Sequence, residues 1–197
     1  MEHESIMIQA SGLTVGYKQG KTTTSLLEDL HLVLKPGHLV CFMGPNGIGK
    51  STLIRTLSGL QKPLSGLIKY RGSSKVSLPQ HLAVVLTDKI TAVNMTVYDI
   101  VSYGRYPYLS WDVKLSPQDS ERISKTLSDF QILPLANKKI HELSDAQLQM
   151  VMIARAVVQD TPTIILDEPT AHLDLNNRLE IMNMLRRLAH ESKKAIL

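Results

Sequence analysis

Gly44, Gly49, Lys50 and Ser51 stand in the spacing G-x-x-x-x-G-K-[ST], filled out by Pro45, Asn46, Gly47 and Ile48. These residue types suit a polyphosphate. Glycines let the backbone wrap it, consecutive N–H groups turn inward, the Lys50 ammonium reaches the terminal phosphates, and the Ser51 hydroxyl can hold Mg²⁺. A second pair lies far downstream, where the apolar run Ile164-Ile165-Leu166 ends in Asp167 and Glu168. Taken alone, two acids after a core strand read as a surface or capping pair. Beside a phosphate loop they gain chemistry: Asp167 holds the Mg²⁺ shell through water, and Glu168 polarises an attacking water as general base. The third group is Leu143-Ser144-Asp145-Ala146-Gln147. Locally it is a capping box, with Ser144 at the N-cap and Gln147 three residues on. A helix N-terminus bearing a hydroxyl is also a binding place for a γ-phosphate.

The elements that must position these groups follow from periodicity. Leu39-Val40-Cys41-Phe42-Met43 reads as a short buried strand entering the phosphate loop, and Thr52-Leu53-Ile54-Arg55-Thr56-Leu57 as the helix leaving it. Upstream, Ile6 to Ala10, Gly12 to Tyr17 and Leu30 to Leu34 read as three short strands, with a turn at Lys35-Pro36-Gly37. Residues 66–70 and 82–86 return to strand character. Near residue 95 the period becomes helical: Thr96 caps one helix, and Ser116-Pro117 opens another with Ile123, Leu127 and Phe130 on one face. Residues 91–142 thus form a mostly helical insertion. Ser144 begins a long helix, residues 163–166 are a buried strand, Asp174 starts a helix with Leu175, Leu179, Met182 and Leu185 inward, and Ala195 begins a last strand.

The chain has 197 residues, enough for one substantial domain with its own core. No apolar run approaches the roughly 20 residues that span a bilayer, and Met1-Glu2-His3-Glu4 is unlike a signal peptide. Both point to the cytoplasm or a cytoplasmic membrane face. The net charge of +4 is too mild to argue for nucleic acid, and none is expected as a partner. The single cysteine, Cys41, falls in the expected strand before the loop and reads as a small buried hydrophobe.

The order of these motifs closely resembles the ATP-binding subunits of ABC transporters. The resemblance covers essentially the whole chain: phosphate loop, helical insertion, an L-S-x-x-Q helix, then a strand ending Asp-Glu. Asn94-Met95-Thr96-Val97-Tyr98-Asp99-Ile100-Val101 and Gly104-Arg105-Tyr106-Pro107-Tyr108 are similar to the subgroup importing iron–siderophore complexes, haem or vitamin B12. The fold implied is an α/β P-loop NTPase core with an N-terminal antiparallel β subdomain and a helical insertion. Residues 1–90 and 143–197 would be the nucleotide-binding core, and 91–142 the helical subdomain. The ligands implied are ATP and Mg²⁺. Nucleotide contacts come from Tyr17, stacked on adenine, and from Gly44, Pro45, Asn46, Gly47, Ile48, Gly49, Lys50, Ser51 and Thr52. Ser51 and Asp167 serve the metal, Glu168 is catalytic, and Leu143, Ser144, Asp145, Ala146 and Gln147 meet the nucleotide across a head-to-tail homodimer. Pro169-Thr170-Ala171-His172-Leu173-Asp174 matches the segment after the catalytic Glu; there Asp174 communicates across the dimer and His172 is an interface or surface residue. The helical subdomain would dock a membrane permease, placing the subunit peripherally on the cytoplasmic face of the plasma membrane.

Three departures from the family pattern stand out. Thr87 occupies the place of a glutamine that contacts Mg²⁺ at the end of a strand; Gln80 lies too far upstream to serve. Asp145 and Ala146 replace two glycines, adding a carboxylate and a Cβ where backbone approaches phosphate. The family also carries a histidine just after the strand that here begins at Ala195, beyond Leu197, and His190 is no substitute. The leading expectation is an energy-coupling importer ATPase. The alternative is a shortened ABC nucleotide-binding module with little or no turnover. A soluble ABC protein of translation or repair is disfavoured, since tandem cassettes and long coiled-coil insertions are lacking.

Overall fold

The computed structural model describes residues 6–74, 76–87, 94–171 and 173–197, so Met1-Glu2-His3-Glu4 and His172 lie outside the described residues. The chain forms two compact units. The first comprises residues 1–84, 162–167 and 185–197, and the second residues 85–161 and 168–184.

In the first unit β1 (Ile8–Gln19) and β2 (Thr22–Leu34) form a long antiparallel hairpin, and β3 (Ser65–Tyr70) pairs with the other edge of β1. Sequence reading expects two short strands where β1 is continuous. The interruption at Gly12, in left-handed conformation at φ 56°, falls where the register shifts between Ala10 and Leu13. A bulge of this kind bends a strand and raises its twist without ending it. Ile8, Ala10, Leu13 and Val15 point inward and are buried, giving the hairpin one apolar face. Gly16 permits the close approach of the strands: a Cβ there would lie 2.0 Å from the Thr24 carbonyl oxygen.

The second sheet has the order β4-β5-β6, with β4 (Leu82–Val85), β5 (Thr163–Leu166) and β6 (Ala195–Ile196). All four residues of β5 are buried, the pattern of a central strand covered on both faces. β6 lies parallel to it, pairing Thr163 with Ala195 and Ile164 with Ile196. The strand expected at residues 39–43 is reduced to one parallel bridge between Leu39 and Ile196. The ladder ends where the Val40 N–H donates to the Ile196 carbonyl at 2.8 Å. Past that bond residues 41–43 have no strand partner among the described residues, and Cys41, expected to be buried, is exposed. α1 (Lys50–Leu57) follows the loop and buries Leu53, Ile54 and Leu57. A four-residue helix, α2 (Leu78–His81), precedes β4, so Gln80 stands before that strand and not at its end.

The second unit is helical. α3 (Val97–Ser102) and α4 (Pro117–Asp129) each begin with a reciprocal capping box, Thr96 with Asp99 and Ser116 with Asp119. The Thr96 hydroxyl, chief among its hydrogen-bonding partners, holds the Asp99 carboxyl below the ordinary carboxylate range. Between them runs a 3-10 segment, Tyr103–Tyr108. It approaches α5 (Asp145–Val158) so closely that a Cβ on Gly104 would sit 2.3 Å from the Arg155 carbonyl oxygen. Arg105 then ties three elements: its Nε donates to Asp119 at 2.7 Å, one terminal nitrogen donates to the Val158 carbonyl at 3.1 Å, and the guanidinium lies over the Tyr108 ring.

α6 (Leu175–Ser192) differs from expectation in the face it buries. Leu175 and Leu179, expected inward, are 71% and 55% exposed, and Met182 is half-buried. The buried stripe is Ile181, Met184, Leu185 and Ala189. At 3.6 residues per turn this face is rotated by about one residue from the expected one. Only Leu185 belongs to both readings.

Candidate nucleotide site

In the first unit the phosphate loop is shaped by two glycines with different demands. Gly47 has φ 83° and open space around its Cα, so its requirement is conformational only. Gly49 caps α1 at φ 109°, a dihedral that strains any larger residue, and a Cβ there would also come within a tight 3.0 Å of Leu26 Cβ. The helix then starts at Lys50 with no acidic side chain in its first turn. Its unpaired amides and dipole favour an anion at the loop. Residues 44–48 are exposed, which leaves that anion access.

Side chains complete the arrangement. Lys50 Nζ donates to the carbonyl oxygens of Gly44 at 2.9 Å and Pro45 at 3.0 Å, so the ammonium lies across the loop mouth. Ser51 Oγ donates to Asp167 Oδ1 at 3.1 Å across 116 positions of sequence. Asp167 is buried at the end of β5. A hydroxyl and a carboxylate held together at a phosphate loop suit Mg²⁺, which takes one or two protein oxygens and completes its shell with phosphate and water. Among the described residues no group of three or more His, Cys, Asp or Glu is placed to hold a metal ion.

Tyr17 keeps half of its surface exposed while its hydroxyl bonds Thr52 Oγ1 at 2.5 Å. Thr52 is buried on the first turn of α1, so this bond ties β1 to the loop's helix. Gln61 adds a brace absent from the sequence reading: its Nε2 donates to the Gly16 carbonyl at 2.6 Å, next to Tyr17. Nothing in the local pattern marks Gln61, because the contact is made across 45 positions.

The remaining expected site residues belong to the second unit. Ser144 caps α5: its hydroxyl accepts from the Gln147 amide at 3.3 Å, and the Gln147 side-chain oxygen accepts from the Ser144 amide at 3.1 Å. Ser144 and Asp145 are exposed, while Leu143, Ala146 and Gln147 are half-buried. Asp174 caps α6, its carboxylate accepting from the Asn177 amide at 2.9 Å and side-chain amide at 2.7 Å. Glu168 is exposed and adopts φ 49°, a left-handed backbone unusual for a residue other than glycine, asparagine or aspartate. Thr87 is exposed two residues past β4.

A glycine-bounded loop opening a helix, with a serine bonded to the aspartate ending a neighbouring parallel strand, defines a P-loop nucleotide-binding protein. A family model described as ABC transporter matches residues 27–171. The chain belongs to the ABC transporter ATP-binding family, with its α/β P-loop NTPase fold. It is 36% identical over 196 residues to the uncharacterized ABC transporter ATP-binding protein MJ0873 of Methanocaldococcus jannaschii, covering 96% of this chain and 66% of that one. It is 34% identical to the iron(3+)-hydroxamate import ATP-binding protein FhuC of Bacillus subtilis, covering 87% and 66%. The dimeric structure of MJ0796, a bacterial ABC transporter cassette, superposes with a TM-score of 0.82 at 27% identity, covering 96% of this chain and 86% of that one. The chain thus spans about two thirds of the length of those two curated relatives.

Proposed function

We propose that this chain is the ATP-binding and hydrolysing subunit of an importer for an iron chelate or a related metal-bearing cofactor. The observation that carries the reading is the Ser51–Asp167 bond beside Lys50. It joins the phosphate-loop serine to the acid whose neighbour is Glu168. Lys50 and the α1 amides bind the β- and γ-phosphates, Tyr17 offers its exposed ring to adenine, and Ser51 and Asp167 hold Mg²⁺. When bound, the metal neutralises charge on the β- and γ-phosphate oxygens. Glu168 takes the proton of the attacking water. Thr87 is a weaker oxygen donor to the metal shell.

Two copies pair head to tail in this proposal, and the exposed Ser144 hydroxyl with the first turn of α5 closes on the nucleotide held by the other copy. Closure is favoured because ATP binds the closed pair better than the open one. Asp174 links the halves, and residues 91–142 dock the cytoplasmic helices of a permease at the membrane. Among the described residues no helix is long and apolar enough to cross a membrane. The low-turnover reading finds no support in the relatives, one of which is an import ATP-binding protein.

The test is Glu168→Gln in the full chain. Phosphate release should fall by about 10²- to 10⁴-fold, the usual contribution of a general base, while ATP binding persists. Undiminished hydrolysis would remove Glu168 from the role of base.

A further inference from the structure

Arg186 and His190 stand at i and i+4 of α6 and share one face, and Lys193 follows just past the helix end. His38, from the loop after β2, joins them. With Gly37 they line an open cleft of about 570 Å³ in the first unit, with no acidic side chain among its lining residues. Gly37 pins its two walls together. Its amide donates to the Lys194 carbonyl at 3.1 Å, and its backbone is left-handed at φ 77°. His38 Nδ1 donates to the Pro36 carbonyl at 3.0 Å, which leaves Nε2 as the ring atom to meet a ligand.

Elsewhere some cations of this chain sit in ion pairs. Arg105 pairs with Asp119, and Arg122 with Asp160. Arg187, the neighbour of Arg186, has Glu191 four residues on. Among the described residues, Arg186, His190 and Lys193 have no such acidic partner. The helix macrodipole explains cations in the last turn only. Arg186 lies six residues before Ser192, and His38 is on another element, so the dipole does not account for the group. The first unit as a whole carries thirteen Lys and Arg against six Asp and Glu. None of the phosphate-loop residues lines this cleft.

We propose that the cleft is a second anion site, built for a phosphate-bearing group. An Arg fork binds phosphate bidentately, and a second cation, Lys193, lining the same cleft favours a group with two or more negative charges. The group is supplied by a soluble diphosphate or by an anionic lipid headgroup.

The experiment uses the full chain carrying Lys50→Ala, which silences the phosphate loop. ¹⁵N-labelled protein is titrated with pyrophosphate at constant ionic strength, and sedimentation is measured with phosphatidylglycerol and phosphatidylcholine vesicles. The comparison variant adds Arg186→Gln and Lys193→Gln, both at exposed positions, with thermal unfolding as the check on folding. Saturable shifts of the Gly37 and His38 amides, weakened about tenfold or more in the variant, identify a soluble source. Sedimentation with phosphatidylglycerol alone, lost in the variant, identifies the lipid source. Either result supports the site. Absence of both, or binding undiminished by the two substitutions, overturns it.

Discussion

The phosphate loop and the Ser144 cap both set the start of a helix, by opposite means. At residues 44–51 the backbone itself is the device: two left-handed glycines aim the amides, and an aspartate from another strand fixes the serine. At Ser144 a local exchange of two hydrogen bonds sets the helix start, and the ligand would meet a side chain. The first kind is hard to alter without losing the loop, whereas the second tolerates change. Two of the departures from the family pattern, Asp145 and Ala146, fall on the tolerant side. The units also differ in charge. The first carries thirteen basic against six acidic residues, the second nine against twelve, so the phosphate-binding half sits in a field favourable to nucleotide.

This contrast predicts a graded set of losses. Lys50→Ala should weaken ATP binding on the order of a hundredfold, since a charge-assisted contact to phosphate is removed. Equilibrium binding of a fluorescent ATP analogue measures it, and retention of near-native affinity would show that the backbone cradle suffices. Tyr17→Ala should weaken binding by about tenfold through lost stacking, while Tyr17→Phe, which removes only the Thr52 bond, should stay within about threefold. Equal losses for both would place the tyrosine's role in bracing α1 and not in holding the base. The smallest effect is a gain: Asp145→Gly with Ala146→Gly should tighten ATP-dependent pairing by about three- to tenfold, from relief of one exposed like charge and one Cβ. Analytical ultracentrifugation reads it, and an unchanged association constant would show that Asp145 points away from the phosphates.

Legibility in the sequence followed the same division. The loop, the helix starts at Thr96 and Ser116, the capping box at Ser144, and the buried β5 were readable because each is written in adjacent residues with a local physical reason. What failed was set by distant partners. Residues 39–43 have strand composition, yet their ladder lasts only as far as Val40. The orientation of α6 depends on which neighbours it meets, and an apolar pattern that allows two adjacent stripes does not choose between them. Gln61, bracing Gly16 from 45 positions away, carries no local signal at all.

The central claim is that the Lys50 loop of one copy and the Ser144 helix of another make one site. Two full-length variants test it in the Glu168→Gln background, one adding Lys50→Ala and the other Ser144→Arg. Each alone should remain monomeric with Mg-ATP, because every site it can build lacks one half. Mixed, they should form a heterodimer on size exclusion, since one loop and one helix are then intact across the interface. A mixture that stays as monomeric as its components, while the Glu168→Gln parent dimerises, would contradict the account.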